Sequence, residues 1–515
     1  MKYFSPENSE NPNGKWLRST IKSKFSNEPF FKSLTKKDLE SRSSNYSIDQ
    51  RQILVNVLKD QYQEWKDDDS VISLIEKLRI ENAVTVTSGH QLSLCLGPLY
   101  VHSKIRETQY LSNFLSEKYD QPVVPVFWMA TEDHDFEEIR HLRFQEQDFS
   151  MGEEIKGHSV GSLPCSIAQE VVEKMISQLG GNTSIKELLI CMHKAYSLGG
   201  TLADATRRLI HEFHPGILCL DAADQRLKAM AFGLWEDEIL NQTLYNSREI
   251  SIWNNEREEP VPFRPSMMFY LKNGIRSRID FENGEYFSDG HRWTPNELLN
   301  EASSHPERIS PNALLRPIYQ ETILPNVSYL GGLGEIEYWL QLIPYLKQWK
   351  KSNVRINIRT SFAWWTRATQ RNWSSISENG INYWTSEKEY RSHWLKILGK
   401  SDVDRYPVLE TVKRVMNSHY NQNNGVEQST DAWLQRIKRD EKRMNERIRR
   451  GSLKKVDIQM KRYKSFKNEH HPGNVLQERK WTLIDLVFHF GLNSSSKYTE
   501  GLGNENNGLI WILQD

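Results

Sequence analysis

The chain has 515 residues, which is too many for a single hydrophobic core of ordinary size. We therefore expect several domains. Lys plus Arg and Asp plus Glu are balanced at 67 each, and net charge therefore does not indicate a nucleic-acid partner. The first residues lack an apolar stretch of signal-peptide length, and no later segment reaches the roughly 18 apolar residues of a membrane span. We expect a cytoplasmic protein that does not bind membranes.

The cysteines do not indicate a disulfide framework or a metal centre. Cys95, Cys165, Cys191 and Cys219 form neither a CxxC pair nor the Cys/His spacing of a zinc site. We expect most of them to be buried free thiols, and we predict no metal site.

The first half of the chain predicts alternating helices and strands. Residues 1–82 include an amphipathic helical pattern and are predicted to form an N-terminal helical arm that packs on the core. Residues 83–89 predict a strand, Pro98 opens a helical stretch, and the apolar run 122–130 has the length of a second strand. Strand, helix and strand in this order predict a βαβ unit.

The same pattern recurs further along the chain. A short apolar strand at 217–220 precedes an amphipathic helix from about Ala222, a third helix follows "YLGGLG", and "NVRINIRTSFAWW" alternates like a strand. We therefore predict an α/β fold with a mostly parallel sheet. Its core is expected to comprise residues 83–140, 216–250 and 311–379, with insertions at 141–215 and 251–310.

From about residue 380 the composition changes to long polar helices, with no proline between 408 and 471. Leu434, Ile437, Glu441, Met444 and Ile448 have the spacing of a helix–helix seam. A break at 421–425 predicts an antiparallel helix pair within a coiled-coil domain at 380–470. Residues 471–515 are expected to return to the core.

The coiled-coil region is basic. Residues 434–468 contain fourteen Lys and Arg against four Asp and Glu. This excess is compatible with a solvated helix face and with a surface for nucleic acid or nucleotide phosphate, and the pattern leaves both open.

The first segment that could carry chemistry is Ser88-Gly89-His90-Gln91, at the predicted carboxyl end of the first strand. Ligands of parallel sheets bind beyond such ends, where the loops are free of packing. Gly89 allows close backbone approach, and His90 and Gln91 offer a proton-transfer group and an amide. The alternative is that His90 only forms a hydrogen bond within the turn.

The second segment is "TEDHDFEE", which follows the second strand directly. Its six titratable side chains are Glu132, Asp133, His134, Asp135, Glu137 and Glu138. Such crowding costs free energy unless solvent, a cation or a substrate amine offsets it. In an extended stretch Asp133 and Asp135 share a face and His134 points away, so a compact metal site is not predicted.

The third segment is "NVSYLGGLGEIEYW", residues 326–339. Gly331, Gly332 and Gly334 precede a helix and leave backbone N–H groups open to an anion, a preference of roughly 0.3–1 kcal/mol per charge from the helix end. The pattern is neither GxGxxG nor a Walker motif, and a plain tight turn is the alternative. Arg316 and Lys104 are the cations expected to contact a phosphate or carboxylate.

These three segments, extended to "SGHQLSLCLGPLYVHSK", "VVPVFWMATEDHDFEEIRH" and "PERISPNALLRPIYQETILPNVSYLGGLGEIEYWLQL", together with "LQER" at 476–479, resemble the bacillithiol biosynthesis cysteine-adding enzyme family, BshC. The resemblance runs in order from about 83 to 480. It implies a nucleotidyltransferase-like Rossmann core with connecting-peptide insertions, an antiparallel coiled coil and homodimers formed through that coil.

The resemblance also implies an activity, a ligase that joins L-cysteine to glucosaminyl-malate in the last step of bacillithiol biosynthesis. Binding of ATP or ADP is implied as well, and the energy source is left open. Adenylate-forming Rossmann ligases use an HxGH turn and a KMSKS loop. Here Thr87-Ser88-Gly89-His90 keeps only the final Gly-His, and no KMSKS occurs.

We expect Gly89, His90 and Gln91 to bind the reacting carboxylate or phosphate, with Lys104 stabilising negative charge. Asp133 or Asp135 would hold the amine, and His134 would act as base. The predicted catalytic residues are His90, Lys104, Asp133, His134 and Asp135. The predicted substrate-binding residues are Ser88, Gly89, Gln91, Gly97, Glu132, Arg316, Asn326, Tyr329, Gly331, Gly332, Gly334 and Glu335.

Two other function classes stay open at this point. One is a scaffold or nucleic-acid-binding protein that uses the basic coil, where Tyr463 and Phe466 stand among Lys and Arg. The other is a nucleotidyltransferase or metal-dependent hydrolase that uses the same cleft. Each enzymatic hypothesis requires residues 88–91 and 132–135 to lie side by side at one cavity.

Overall fold

The computed structural model describes residues 2–4, 17, 19–153, 155–250, 259–349, 354–377, 381, 384–402, 408–419, 427–471, 475–492 and 510–514. These form two compact units, one drawn from residues 10–363 and 478–512, the other mainly from residues 364–477. The second unit begins at Trp364, ahead of the boundary expected near 380.

The first unit contains most of the strands, and the second contains the longest helix. The strands are β1 (Lys2–Phe4), β2 (Val84–His90), β3 (Val123–Met129), β4 (His141–Phe144), β5 (Gln147–Ser150), β6 (Leu218–Asp221), β7 (Met268–Lys272), β8 (Ile275–Arg278), β9 (Asp280–Glu282), β10 (Glu285–Ser288), β11 (His291–Trp293), β12 (Ile309–Pro311), β13 (Asn326–Gly331), β14 (Arg355–Ile358), β15 (Ser361–Trp365) and β16 (Ile510–Gln514).

The α-helices are α1 (Lys36–Ser44), α2 (Ile48–Gln61), α3 (Asp69–Lys77), α4 (Leu99–Tyr119), α5 (Phe136–Arg140), α6 (Ser166–Leu179), α7 (Thr183–Ser197), α8 (Leu202–Phe213), α9 (Gln225–Met230), α10 (Phe232–Leu240), α11 (Thr243–Asn246), α12 (Pro295–Ser304), α13 (Leu315–Ile323), α14 (Leu333–Trp349), α15 (Arg367–Ser377), α16 (Glu387–Asp402), α17 (Val408–His419), α18 (Glu427–His470) and α19 (Leu483–Phe490). Shorter helical turns span Ile21–Phe25, Pro29–Phe31, Gln63–Trp65, Leu94–Leu96, Val160–Ser162, Ser247–Ile250, Pro306–Arg308 and Gln477–Arg479.

A five-stranded parallel sheet in the order β14-β13-β2-β3-β6 forms the centre of the first unit, which confirms the predicted α/β class. Strands β3 and β13 are buried along their whole length, as expected for a parallel sheet covered on both faces. The strand order reverses at β2, because β3 and β6 follow on one side whereas β13 and β14 lie on the other. Ligands of open parallel sheets bind at such a switch point.

Helix α4 connects β2 to β3 and is tied to the sheet by buried polar side chains. The Ser112 hydroxyl donates to the carbonyl of Val123 at 2.7 Å, and the Thr108 hydroxyl donates to the Ser88 hydroxyl at 2.8 Å. The helix begins one residue later than expected, since Pro98 is its cap residue. Gly97 before it has φ +65°, and a Cβ there would lie 2.6 Å from the Cβ of Ser93.

The N-terminal helices pack on the sheet through apolar and polar contacts. Leu39 of α1 is buried in one cluster with Val84, Val86 and Val327. The buried guanidinium of Arg42 donates to the carbonyls of residues 321, 324 and 326. These bonds satisfy carbonyls at the end of α13 and the start of β13 that would otherwise be buried without partners.

Two predicted elements differ in the structure. The helix expected from about Ala222 is two helices, α9 and α10, and it starts at Gln225 because the Asp224 carboxylate accepts from the N–H of Arg226 at 2.9 Å. The strand-like stretch 353–365 is divided into β14 and β15. Between them, Arg359 and Thr360 turn to the acidic side chains of Glu478 and Glu107, respectively.

The two insertions carry small antiparallel elements. Residues 141–215 contain the β4–β5 hairpin and helices α6 to α8, and residues 259–311 contain the sheets β12-β7-β8 and β11-β10-β9 with α12. Cys95, Cys165 and Cys219 are buried free thiols as expected, whereas Cys191 is partly exposed. In the described parts of the chain, no helix combines the length and apolar character of a bilayer crossing.

The second unit is organised by the 44-residue helix α18. Lys464 of α18 pairs with Glu387 of α16 at 3.0 Å, and Glu441 accepts from the N–H of Val408 at 3.1 Å, so the partner helices run antiparallel to α18. The break predicted at 421–425 lies outside the described residues. Of the predicted seam, Leu434 and Ile437 are half-buried and Met444 is 58% exposed.

The two aromatic residues that favoured nucleic-acid stacking are buried in the second unit. Tyr463 stacks on Tyr390 at 4.3 Å between ring centroids, and Phe466 stacks on Trp373 at 5.0 Å. Both side chains are at most 1% exposed. Neither ring is available to a base, so this support for the scaffold alternative is lost.

Candidate functional site

A cavity of about 650 Å³ lies beyond the carboxyl ends of the central strands, within the first unit. The end of β2, the stretch after β3, the first turn of α14 and the β12-β7-β8 sheet of the second insertion all contribute to its wall. Strand β2 lies beside β3, with His90 paired to Met129, and this register places residues 88–91 next to the acidic stretch. A Cβ at Gly89 would lie 3.0 Å from the carbonyl oxygen of Trp128, so the two backbones approach closely here.

His90 is half-buried at the cavity wall, and its ring has a defined hydrogen-bond pattern. Nδ1 lies 3.1 Å from the carbonyl oxygen of Gln91, and Nε2 lies 2.5 Å from the hydroxyl of Tyr100. Burial, and next the charge of Lys104, lower the pKa of His90 to about 4. The imidazole is therefore neutral at physiological pH.

Lys104 and Glu335 form an ion pair in the cavity wall. The Lys104 ammonium also donates to the carbonyl of Gly89 at 2.8 Å. The Glu335 carboxylate accepts from the Tyr329 hydroxyl at 2.6 Å and from the Gly332 N–H at 2.8 Å. Burial works to raise the pKa of Glu335, but Lys104 and these hydrogen bonds outweigh it and hold the pKa at about 2. The anion at the glycine turn is thus a side chain of the protein itself.

Asp133 and His134 are held by Arg276 of β8. The Arg276 guanidinium donates to Asp133 Oδ1 at 3.3 Å and to His134 Nδ1 at 2.9 Å, and the Gln91 amide donates to Asp133 Oδ2. Burial, and next the charge of Arg276, lower the pKa of His134, so its ring is neutral with the proton on Nε2. This geometry does not support the expected base role, because the ring has no free lone pair.

Glu132 has a structural partner. Its carboxylate forms a 2.7 Å ion pair with the fully buried ammonium of Lys228, which also donates to the carbonyl of Ile309 at 2.8 Å. The ammonium lies 4.8 Å from the ring centroid of Tyr319. These contacts fasten the start of the acidic stretch to α9 and the second insertion.

The cavity wall carries an excess of positive charge. Its cationic side chains are Lys104, Arg264, Arg276, Arg278, Arg316, Arg359 and Arg479, and its carboxylates are those of Glu132, Asp133, Glu138 and Glu335. Among the described residues no carboxylate pairs with Arg264, Arg278, Arg316 or Arg479. Such a surface attracts anions.

Arg316 is the most enclosed of these free cations. It donates to the amide oxygen of Gln320 and to the hydroxyl of Tyr338, both at 3.1 Å. Its guanidinium lies 5.8 Å from the ring centroids of Trp128 and Tyr329. The flat cation therefore stands between aromatic walls with N–H groups available to a carboxylate.

The structure brings most of the predicted site residues to this cavity. Those in its wall are Gly89, His90, Gln91, Lys104, Glu132, Asp133, His134, Arg316, Tyr329, Gly332, Gly334 and Glu335. Those outside it are Ser88, Gly97, Asp135, Asn326 and Gly331.

Each of the residues outside the cavity has a structural contact. Ser88 is buried within β2, and Gly97 forms the turn before α4. Asp135 caps α5 by accepting from the N–H of Glu138 at 3.1 Å, which explains why it turns away. The Asn326 amide oxygen accepts from the Thr87 hydroxyl at 2.9 Å inside the sheet, and Gly331 is buried at the end of β13.

Sequence reasoning missed Tyr100, Glu138, Arg276, Arg359 and Arg479. Glu138 belongs to the acidic stretch that follows β3, and Tyr100 lies in the first turn of α4, within the segment "SGHQLSLCLGPLYVHSK". Arg359 follows β14 directly, so the carboxyl-end rule could have found it. No local pattern marks Arg276, which reaches the cavity from an insertion.

Among the described residues, no three His, Cys, Asp or Glu side chains are grouped as ligands of a metal ion would be. Three of the four cavity carboxylates, those of Glu132, Asp133 and Glu335, instead pair with Lys or Arg.

Comparison with protein families identifies both units. The model for "Bacillithiol biosynthesis BshC, N-terminal Rossmann-like domain" matches residues 10–359, and the model for the BshC "C-terminal coiled-coil domain" matches residues 389–508. These matches confirm the predicted Rossmann-like core and coiled-coil domain.

Curated relatives match over nearly the whole chain. A Flavobacterium johnsoniae protein named "Putative cysteine ligase BshC" is 31% identical over 92% of this chain and 91% of its own length. Proteins of the same name from Christiangramia forsetii and Staphylococcus epidermidis are 29% and 28% identical, over 90% and 87% of this chain and 89% and 87% of their own lengths. The chain belongs to the BshC family of bacillithiol biosynthesis.

Proposed function

We propose that this protein is a ligase that joins L-cysteine to the amine of glucosaminyl-malate. The observation that carries the proposal is the charge of the cavity, where seven cationic side chains face four carboxylates. Glucosaminyl-malate brings two carboxylates and one amine, and cysteine brings a carboxylate. The names of the relatives supply the reaction class, and the cavity supplies a site of matching charge.

The malate carboxylates fit the cationic part of the wall. Arg316, Arg264 and Arg278 have no described carboxylate partner, so a substrate anion can pair with them without displacing another group. Arg316 offers a planar guanidinium, which suits a two-point contact with a carboxylate. We assign Arg316 to one malate carboxylate.

The sugar amine fits the opposite part of the wall. Burial, and next the charge of Asp133, raise the pKa of Glu138, which shows that its carboxylate lies in a field of like charge. An ammonium bound between Glu138 and Asp133 would relieve this repulsion. We assign these two carboxylates to the amine, and we retain Asp133 rather than Asp135 because Asp135 caps α5.

Amide formation requires the cysteine carboxyl in an activated form, such as a mixed anhydride with phosphate. The bound ammonium first gives one proton to Glu138, whose raised pKa suits it to accept one. The neutral amine nitrogen then bonds to the acyl carbon, the C–O bond to phosphate breaks, and the nitrogen loses its second proton. Lys104 lies where it could neutralise the phosphate, provided that Glu335 yields its place. ATP as the source of activation belongs to this proposal.

The proposal extends to a homodimer formed through the coiled coil. Trp433, Met444, Leu453 and Ile458 of α18 are each at least 40% exposed within the second unit. Unpaired apolar side chains along a long helix are typical of a surface that a second copy covers.

The test is a product assay with the full-length protein. Purified protein is incubated with L-cysteine and glucosaminyl-malate, with ATP, ADP or no nucleotide, and the amide product is measured by mass spectrometry. We expect a product whose mass equals the summed masses of the two substrates minus that of one water. Failure to form it with every nucleotide, while both substrates bind, would overturn the proposal.

A further inference from the structure

The phenol of Tyr100 lies at the cavity wall between His90 and two arginine side chains. Its hydroxyl is 2.5 Å from His90 Nε2, and the two rings meet edge to face at 5.0 Å. The guanidinium carbon atoms of Arg359 and Arg479 lie 5.1 Å and 5.4 Å from the centroid of the Tyr100 ring. Neither the sequence motifs nor the assigned binding groups account for this arrangement.

The direction of the hydrogen bond follows from the partner of the other ring nitrogen. The Gln91 carbonyl can only accept, so His90 Nδ1 carries a proton. In a neutral imidazole Nε2 then has no proton and accepts from the Tyr100 hydroxyl. The phenolic oxygen therefore keeps its remaining lone pairs for a donor in the cavity.

The charges around the two groups suit a proton carrier. His90 faces Lys104, Glu335 and Arg359, and Tyr100 faces Arg479, Arg359, Glu138 and Glu335. Burial raises the pKa of Tyr100 to about 12, so the phenol is protonated at rest, while both arginines oppose that rise and stabilise charge on its oxygen.

We propose that Tyr100 is a catalytic residue of the ligation and takes the proton from the attacking amine. The proton moves from the amine nitrogen to the Tyr100 oxygen as the phenolic proton moves to His90 Nε2. At the same time the N–C bond forms and the C–O bond of the mixed anhydride breaks. His90 then returns the proton to Tyr100, which passes it to the departing phosphate. This inference rests on the proposed function.

The amine site assigned above is compatible with this role. Glu138 and Tyr100 both line this cavity, so an amine held by Glu138 lies in the same cavity as the phenol. His134 cannot replace Tyr100, because Arg276 already occupies its accepting nitrogen.

The test compares Tyr100→Phe with the wild-type protein in two reactions. The first is ligation to glucosaminyl-malate. The second is trapping of the activated cysteinyl group by hydroxylamine, with the nucleotide that supports wild-type ligation. Hydroxylamine is an unprotonated nucleophile at neutral pH and does not need the enzymatic base.

We expect kcat for ligation to fall about 10²–10⁴-fold in Tyr100→Phe, with KM and hydroxamate formation changed by less than about threefold. His90→Gln should likewise lower kcat for ligation while leaving hydroxamate formation nearly unchanged. Tyr110→Phe on the same helix is the matched control and should behave like the wild type. Circular dichroism and thermal unfolding confirm that each variant is folded.

Three results would overturn the inference. Ligation by Tyr100→Phe at more than about one third of the wild-type rate would remove the phenol from the chemistry. Equal loss of both reactions in a folded variant would assign Tyr100 to structure or binding. A wild-type protein inactive in ligation would overturn the proposed function itself, an outcome distinct from the other two.

Discussion

Lys104 and Glu335 form an ion pair that joins the carboxyl ends of β2 and β13, the strands at which the order of the central sheet reverses. Lys104 reaches the Gly89 carbonyl from α4, and Glu335 reaches the Gly332 N–H from the first turn of α14. One pair thus connects both segments that the sequence marked as anion sites. A substrate phosphate or carboxylate would have to exchange with the Glu335 carboxylate there.

We predict that Glu335→Gln lowers the free energy of unfolding by about 2–4 kcal/mol, because it leaves the Lys104 ammonium, 1% exposed, without its counter-charge. Urea denaturation near pH 7 measures the change. Glu137→Gln is the control, since the Glu137 carboxylate is 50% exposed beside Arg140 and should cost at most about 0.5 kcal/mol. An equal effect of the two substitutions would contradict the prediction.

Glu107 should make stability fall as pH rises. Burial raises the pKa of Glu107 to about 7, against a usual value of 4.5, although Thr360 donates two hydrogen bonds to its carboxylate. The folded state therefore binds this proton more tightly, so the stabilisation is complete below about pH 4.5 and is lost as pH rises to about 7.

Glu107→Gln should remove this dependence. Because the side chain is only partly buried, we expect the unfolding free energy of the wild type minus that of the variant to fall by about 1–2 kcal/mol between about pH 5 and pH 8. Urea denaturation of both proteins across this range measures it. A difference that does not change with pH would refute the role of Glu107.

Arg316 should make substrate binding selective for molecules that carry the malate group. Replacing it by Gln removes a guanidinium that we assign to a malate carboxylate, and we expect KM for glucosaminyl-malate to rise about 10–100-fold. A glucosamine glycoside without carboxylates serves as the internal comparison, since its KM should not change. If KM rises equally for both substrates, Arg316 acts on the shape of the cavity and not on the malate.

The proposed coiled-coil dimer should depend on the exposed apolar side chains of α18. Met444 is 58% exposed, and Met444→Glu should weaken self-association by at least about tenfold through burial of a charge. Sedimentation equilibrium measures the dissociation constant. Lys442→Glu, an exposed position on the same helix, is the control and should change it little. A monomeric wild type, or equal effects of both changes, would contradict the dimer.

Local patterns were sufficient to predict the regular elements of the core. Apolar runs at 83–89 and 122–130 became β2 and β3, and their carboxyl ends led to His90 and Asp133 because the ends of parallel strands share one edge of the sheet. The glycine turn before α14 was found by a different signal, the unobstructed backbone N–H groups that glycines leave before a helix. What these patterns could not show was that the turn is occupied by Glu335.

The arginines that sequence reasoning missed reach the cavity over long separations. Arg276 comes from β8 and contacts His134 across 142 residues, and Arg359 pairs with Glu478 across 119 residues. Arg479 follows that pair and so is placed against Tyr100. No periodicity within one segment reports such contacts.

The sequence by itself determined the βαβ core, the polar ends of its strands and the change to long helices, because these depend on side-chain periodicity along a single stretch of chain. Only the tertiary structure decided which side chain caps a helix, which pairs with another side chain and which remains open to a ligand. Those outcomes depend on partners from distant segments, as with His134 bound by Arg276 and Arg359 paired with Glu478. A side chain of either kind looks the same in the sequence, and its hydrogen-bond partner in the folded chain determines its chemistry.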